Sequence, residues 1–257
     1  NSIGRTYKCS CGKQYKHRQS LFNHKKQCSY KQINVEEEQE DKEKEDLLEE
    51  SRLYKSDTEA NKDKITHTSL NGGSFIVDKN YDMFLTLYKY IVASNIEVPY
   101  ALVERQKKVG PIVCDIDLKV PESYGKGRER LYTDDDVMAI AEIYLKTIKE
   151  TFHVNDDDLQ AFVFGRGEAP SIETKNNKTE YKDGFHIYFP SVPIRVEFRF
   201  LLYQAVLTKL KKMNIFKDIP LLEPIEKVFD PSVVYTNGIL MFGCHKKGRN
   251  SYVLTHK

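Results

Sequence analysis

Two acidic residues interrupt a strand-like apolar run between residues 112 and 118. Because side chains alternate between the two faces of a β-strand, we expect Asp115 and Asp117 on one face. The other face then carries Ile112, Cys114, Ile116 and Leu118. Two carboxylates held this close repel each other, and a divalent cation bound between them relieves the repulsion. The pair therefore predicts a metal site, although Asp-x-Asp also occurs in nucleases, nucleotide-sugar transferases and ordinary strand ends.

A second strand-like run carries a histidine among aromatic and aliphatic residues. Alternation puts His186 on the same face as Gly184, opposite Phe185, Ile187 and Phe189. A glycine leaves space beside the histidine, where a phosphate group could approach, and Lys182 would add positive charge. The segment predicts a phosphate-binding strand, and the alternative is a half-buried histidine bonded to a backbone carbonyl.

A third candidate group combines an acid with a basic loop. Asp230 ends an apolar run and precedes Pro231, and Lys246, Lys247 and Arg249 follow the strand-like run 239–242. Taken singly, these residues are also typical of a strand end and a solvated basic turn. Arg166 lies in a Gly-Arg-Gly sequence, which favours an exposed turn over a nucleotide contact.

Three cysteines and a histidine near the N-terminus have metal-ligand spacing. Cys9, Cys11, His24 and Cys28 resemble the ligands of a two-cysteine, two-histidine zinc finger, with a shortened first turn and Cys as the last ligand. We expect His24 and Cys28, four residues apart, on one helical face. Tyr15 and Leu21 match the small apolar core of such a finger. The alternative is free cysteines in an unstructured tail.

Charge divides the chain into segments. Residues 1–32 contain eight Lys or Arg and no acid, whereas residues 36–50 contain ten acids and two lysines. Together with the cysteine and histidine spacing and the motifs above, this charge pattern predicts a zinc finger at 1–32, a charged linker at 33–70 and a catalytic domain at 71–257. Five cysteines, an odd number, favour metal ligation over disulfides. Without a membrane-length apolar run or a signal pattern, we expect an intracellular protein.

The predicted catalytic domain mixes strands and helices, which indicates an α+β or α/β fold. The expected strands are 75–77, 100–103, 112–118, 161–164, 185–189 and 239–242. Apolar periodicity predicts three helices, with stripes Met83, Phe84, Leu87 and Ile91; Val137, Ile140, Ala141, Tyr144, Leu145 and Ile148; and Phe198, Leu201, Leu202, Ala205 and Leu210. Thr133 is the expected N-cap of the second helix. The ending just after the strand-like run 252–254 suggests a piece of a longer protein.

In their order along the chain, these motifs resemble the archaeo-eukaryotic primase and primase-polymerase superfamily, over roughly residues 75–257. The runs Cys114-Asp115-Ile116-Asp117-Leu118-Lys119, Gly184-Phe185-His186 and Asp230-Pro231 are most similar to the primase–helicase replication proteins of large nucleocytoplasmic DNA viruses. The resemblance implies an α+β fold, with an RRM-like catalytic sheet and a second αβ unit. It also implies a DNA primase or primer polymerase that acts at a viral replication site inside the host cell.

The resemblance also implies roles for individual residues. Asp115, Asp117 and Asp230 would bind Mg²⁺ or Mn²⁺ for two-metal nucleotidyl transfer. Lys182 and His186 would hold the triphosphate of the incoming NTP or dNTP, and Lys246, Lys247 and Arg249 match later phosphate-contacting residues. The implied partners are a single-stranded DNA template and a superfamily-three helicase domain. The chain departs from the common pattern at Gly184, where many members have Ser, which costs one hydrogen bond to phosphate.

Two other classes of function stay open at this point. A metal-dependent nuclease or a nucleotide-sugar transferase would use the same acids, and a non-catalytic module would bind nucleic acid through the same basic residues. The finger and the basic loop favour a polynucleotide substrate. The motifs do not distinguish RNA from DNA primers.

Overall fold

The computed structural model describes residues 7–9, 11–28, 64–77, 80–94, 101–175, 178–235 and 237–257. Most of the predicted charged linker lies outside these residues. The chain divides into two units, one formed by residues 1–53 and 80–99, the other by residues 54–79 and 100–257.

The first unit contains a small ββα element and one longer helix. Strands β1 (Tyr7–Lys8) and β2 (Gln14–Tyr15) pair antiparallel, and helix α1 (Arg18–Lys25) follows. Helix α2 (Tyr81–Ala93) buries Phe84, Tyr88 and Ile91. The predicted stripe was therefore right for Phe84 and Ile91 but wrong for Met83, whose side chain is exposed.

The second unit is built on an antiparallel sheet whose described strands have the order β11-β7-β9-β6, with β8 also paired to β9. Its longest pairing joins β9 to the edge strand β6 along most of their lengths. The strands are β6 (Val109–Pro121), β7 (Phe162–Arg166), β8 (Ser171–Lys175), β9 (Lys178–Arg195) and β11 (Tyr252–His256). The predicted runs 112–118, 161–164 and 185–189 thus fall on three of these strands.

Two long helices cover the apolar face of this sheet. Helix α4 (Asp134–Thr151) begins with a capping box, in which Asp136 N–H donates to Thr133 Oγ1 and Thr133 N–H donates to the Asp136 carboxylate. Helix α5 (Val196–Met213) packs against α4 and the sheet. The shared core includes Cys114, Ile116, Leu118, Phe185, Ile187, Phe189, Ile140, Tyr144, Ile148, Leu202, Val206 and Leu210. The predicted inward face of β6 is confirmed.

The rotation of α5 differs from the prediction. Phe198 and Leu201 were expected in the core, but their side chains are 44% and 60% exposed. The buried residues are Arg199, Leu202, Tyr203, Val206, Leu207 and Leu210. Apolar residues occur on both faces of this helix, so periodicity alone does not fix its rotation. Arg199 donates from Nη2 to Lys107 O at 2.6 Å and from Nη1 to Gln106 Oε1 at 2.5 Å, which orients the helix toward the start of β6.

A second described sheet has the order β10-β5-β3-β4. Its strands are β3 (His67–Ser69), β4 (Ser74–Phe75), β5 (Leu102–Glu104) and β10 (Ile239–Leu240). Strand β3 lies in the last residues of the segment predicted as a linker. Short helices α3 (Glu122–Gly125), α6 (Ile225–Val228) and α7 (Ser232–Tyr235), and a 3-10 turn at Asp156–Asp158, complete the described elements.

The two sheets and the covering helices give the α+β class that the sequence predicted. Within the described residues, none of the helices combines the length and the apolar character needed to cross a membrane.

Candidate active site

The pairing of β6 with β9 brings the first two motifs together. Asp115 lies opposite His186, and Asp117 lies opposite Gly184 in the register of these strands. His186 Nε2 is 3.2 Å from Asp115 Oδ1, within hydrogen-bonding distance. Residues directly opposite in an antiparallel pair project from the same face. Two segments about 70 residues apart in the sequence therefore form one polar surface on the side of the sheet away from α4 and α5.

The third motif reaches the same surface along the free side of β6. Phe229 forms an isolated bridge with Ile116, and Asp230 N–H donates to Asp115 O at 3.0 Å. Tyr203 on α5 donates to Phe229 O at 3.0 Å, which fixes this segment to the core. The Asp230 carboxylate accepts hydrogen bonds from Ser232 N–H at 2.9 Å and Ser232 Oγ at 2.6 Å. Asp230 is therefore held beside Asp115 by backbone contacts.

Arg166 is part of this surface, which corrects the expectation of an exposed turn. It is the last residue of β7, and its Nη2 lies 3.5 Å from Asp117 Oδ1. Phe164, two residues earlier, pairs with His186. Alternation along β7 would have located Arg166 on this face, but the flanking glycines are more typical of a turn.

Tyr252 is a second site residue that sequence reasoning missed. It lies on β11 opposite Arg166, and its ring stacks on the His186 ring with centroids 4.0 Å apart. Burial raises the pKa of Tyr252 to about 12, against the opposing charge of Arg166. Its hydroxyl is therefore protonated at neutral pH. Because its ring stacks on the imidazole, it also fixes the plane of the His186 ring.

The two paired acids have pKa values that move in opposite directions. Burial acts to raise the pKa of Asp115, but the charge and hydrogen bond of His186, with Lys246 and Arg166, lower it below its ordinary value. Partial burial and then the charge of Asp115 raise the pKa of Asp117. Crowded carboxylates of this kind gain from a bound cation, which lowers both pKa values.

Two cavities adjoin at these residues. The larger, of about 640 Å³, is lined by Asp115, Asp117, Asp230, His186, Arg166, Lys246 and Tyr252, and by Thr68, Leu70, Val103, Arg105, Val233, Asn237, Gly238, Ile239 and Leu240. The smaller, of about 160 Å³, is lined by Asp117, Lys119, Arg166, Glu168, Ser171, Glu173, Lys182, Leu240, His245, Lys246, Arg249, Asn250 and Tyr252. The acids lie in the larger cavity, and most of the cations line the smaller one.

The basic residues proposed from the motifs occupy different positions. Lys182 lines the smaller cavity and pairs with Glu173 at 2.8 Å, and Arg249 lines it with Glu168 at 3.9 Å. Lys246 lines both cavities. Lys247 is exposed and is not among the residues that line either cavity. The structure thus brings together all of the predicted basic residues except Lys247.

Gly184 does not open a space beside His186, contrary to the interpretation of its sequence pattern. A Cβ added at this position would lie 2.0 Å from Ile116 O, so the neighbouring strand already fills that volume. The glycine is needed for the close approach of β9 to β6, which sets the Asp117 register. The same contact explains why Ser would not fit here without a backbone shift.

The predicted finger ligands converge in the first unit. One ligand atom from each of Cys9, Cys11, His24 and Cys28 lies within 4.8 Å of the others. The Cys9 and Cys28 sulfurs are 3.9 Å apart, close to the separation of about 3.8 Å that tetrahedral Zn²⁺ imposes with Zn–S bonds of about 2.3 Å. Gly12, with φ +91°, allows the shortened first turn. The donor set therefore fits zinc.

One detail of the predicted finger was wrong. Helix α1 ends at Lys25, so Cys28 does not share a helical face with His24. A turn follows in which Gln27 N–H donates to His24 O at 3.0 Å. This turn returns the chain so that Cys28 reaches the other ligands. The Tyr15 ring packs on His24, with centroids 5.2 Å apart, which supports the expected core position of Tyr15.

Comparison with known proteins agrees with this architecture. Residues 66–257 match the family model described as the C962R protein N-terminal AEP domain. The chain therefore belongs to the archaeo-eukaryotic primase (AEP) family, as its motifs predicted.

Two viral relatives extend this result. The chain is 31% identical over 191 residues to a putative helicase, L207/L206, of Acanthamoeba polyphaga mimivirus, which covers 73% of the chain and 19% of that protein. It is 28% identical over 156 residues to a putative helicase, 121R, of Invertebrate iridescent virus 3, which covers 58% of the chain and 15% of that protein. The chain thus spans less than a fifth of the length of these relatives.

Proposed function

We propose that this chain synthesises primers on a single-stranded DNA template by metal-dependent nucleotidyl transfer, within a viral replication protein. The observation that carries the proposal is the convergence of Asp115, Asp117 and Asp230 with His186 and Lys246 on one cavity. Membership of the AEP family supports a nucleotidyltransferase of the primase type.

The donor set on this cavity fits Mg²⁺ or Mn²⁺, which prefer carboxylate oxygens. Asp115, Asp117 and Asp230 would hold the cations, whose charge would offset the burial and the repulsion from Asp115 that raise the pKa of Asp117. Bound cations would lower the pKa of an attacking 3′-hydroxyl and offset charge on the departing pyrophosphate. In this proposal the acids act as ligands and not as general bases.

The remaining residues would bind and orient the nucleotide. His186 is fixed between Asp115 and the Tyr252 ring, so its imidazole is oriented before a substrate arrives. Lys182, Lys246 and Arg249 line the smaller cavity and suit the triphosphate. The larger cavity then receives the nucleoside and the primer end. Lys247, exposed beyond both cavities, suits a looser contact with nucleic acid.

The finger and its linker would serve the template. We propose a zinc finger at residues 1–32, a charged linker and a catalytic domain that begins near 71, with β3 as an additional strand at 67–69. The basic composition of residues 1–32 suits contact with phosphates. The relatives, named as putative helicases and much longer than this chain, support a fused helicase region, and we propose that it is of the superfamily-three type.

Product analysis tests the proposal. The chain is incubated with single-stranded template, labelled NTP or dNTP and Mg²⁺ or Mn²⁺, and the products are sized. We expect metal-dependent products that lengthen with time. Shortening of a labelled template without triphosphates would instead indicate a nuclease, and transfer from a nucleotide-sugar would indicate a glycosyltransferase. Template binding without any reaction would leave a non-catalytic module.

A further inference from the structure

Arg166 is a largely buried cation on the boundary between the two cavities. It lines both, together with Asp117, Leu240, Lys246 and Tyr252, and its side chain is 16% exposed. The AEP motifs on which the site was predicted do not include it. Its position gives the guanidinium access to a ligand that extends from the acids into the smaller cavity.

The contacts of Arg166 within the protein leave part of its donor set unused. Nη2 is 3.5 Å from Asp117 Oδ1, Nη1 is 3.5 Å from Ser171 Oγ, and the side chain also hydrogen-bonds to Tyr252. Among the described residues, the buried Nε has no hydrogen-bond partner. A guanidinium offers five donors, and a buried charge with long contacts costs free energy unless a ligand completes them. Phosphate oxygens match this planar set of donors.

The backbone that carries Arg166 is held in place from behind. Arg130 donates from Nη1 to Glu168 O at 2.6 Å and from Nη2 to Arg166 O. Arg130 itself lies 3.6 Å from the fully buried carboxylate of Asp183. Arg130 therefore holds the backbone carbonyls on both sides of Gly167, which fixes the backbone from which the Arg166 side chain extends.

We propose that Arg166, at the boundary between the two cavities, binds the triphosphate of the incoming nucleotide. The inference rests on the proposed function. A nucleotide is favoured over the template backbone because the boundary adjoins the metal-binding acids. Five cationic side chains line the smaller cavity with three acids, and a fourth acid, Glu223, pairs with Lys119 at 2.8 Å, so the positive charges outnumber the negative ones by one. The cationic residues are Lys119, Arg166, Lys182, Lys246 and Arg249. A compact polyanion suits this enclosed arrangement better than an extended strand.

Direct binding tests the assignment without requiring catalysis. Titration calorimetry with inorganic tripolyphosphate, and separately with ATP, in the presence of Mg²⁺ compares wild type with Arg166→Gln and Arg166→Lys. Arg128→Gln is the matched control, because Arg128 is an exposed arginine that stacks on Tyr124. We expect Arg166→Gln to weaken both ligands roughly 10- to 100-fold, as for loss of a charged hydrogen bond. Arg166→Lys should lose less affinity for both ligands, and Arg128→Gln should bind them as tightly as wild type does.

The outcomes separate this inference from the proposed function. Wild-type affinity for tripolyphosphate in folded Arg166→Gln would overturn the assignment and leave Arg166 as a partner of Asp117. A loss confined to single-stranded oligonucleotide binding would overturn it in favour of the template backbone. Tripolyphosphate binding that depends on Arg166, in a protein that makes no primers, would support the inference and contradict the proposed function. If Arg166→Gln fails to fold, wild-type affinity in Arg166→Lys would overturn the assignment.

Discussion

Asp183 lies between the two proposed phosphate-binding positions of β9, yet its side chain points into the protein interior. The carboxylate is fully buried and accepts hydrogen bonds from Leu131 N–H at 3.0 Å and Gly184 N–H at 2.8 Å. It also pairs with Arg130, which holds the end of β7. Replacement by Ala removes all of these contacts at once.

The expected destabilisation follows from these partners. Each buried N–H that loses its acceptor costs about 1–3 kcal/mol, and the pair with Arg130, whose side chain is 34% exposed, adds about 0–1 kcal/mol. The cost of burying the ionised carboxylate offsets part of this sum. We therefore expect Asp183→Ala to lower the free energy of unfolding by about 3 kcal/mol at neutral pH, or the melting temperature by about 6–12 °C.

Urea denaturation and thermal melting measure this change. Asp218→Ala is the matched control, since Asp218 is exposed and its loss should change stability by less than about 0.5 kcal/mol. If Asp183→Ala melts as wild type does, the interior contacts of Asp183 do not stabilise the fold, and the reasoning fails.

The pH dependence of this difference provides a second check. Burial raises the pKa of Asp183 above its ordinary value of 3.8, although the two N–H groups and Arg130 oppose the rise. The folded protein therefore holds this proton more tightly than the unfolded chain does. The stability that Asp183 contributes is greatest at acid pH and declines as pH rises from 3.8 through the raised value. If the difference in the free energy of unfolding between wild type and Asp183→Ala widens as pH rises, this expected pH dependence is wrong.

Two further predictions concern the nucleotide and the finger. His186→Ala should weaken triphosphate binding by about 1.5–3 kcal/mol, measured as the nucleotide Kd, because a hydrogen bond to a charged group is lost; an unchanged Kd would give His186 a structural role only. Removing residues 1–32 should weaken template binding and primer initiation but spare extension of a supplied primer. The slope of log template affinity against log salt concentration should become shallower by about 0.7 for each phosphate contact that is lost. Zinc chelation should act like the deletion. Equal template binding at several salt concentrations would instead assign the finger to a protein partner.

The sequence was most informative where one strand has two different faces. Asp115 and Asp117 alternate with residues that are fully or almost fully buried, so the direction of both carboxylates followed from the period of two. The cap at Thr133 was equally local, because its partner Asp136 lies three residues away. Contacts of this kind depend on neighbouring residues, so the amino-acid order alone is enough to predict them.

The missed features depend on pairing between distant segments. Arg166 and Tyr252 reach the site only because β7 pairs with β9 and β11 pairs with β7. Gly184 was interpreted as an opening because its contact with Ile116 O belongs to another strand. The rotation of α5 was predicted wrongly because its exposed face carries Phe198 and Leu201, and apolar periodicity cannot choose between two apolar faces.

The most direct test of the central claim is primer synthesis by variants that lack one acid. Asp115→Ala and Asp117→Ala are compared with wild type and Asp218→Ala on single-stranded template with labelled triphosphates and Mg²⁺ or Mn²⁺. We expect wild type and the control to make primers, and both acid variants to make none while melting normally, because each loses a cation ligand from a solvent-facing cavity. Primer synthesis at the wild-type rate by either acid variant would contradict the proposed catalytic site.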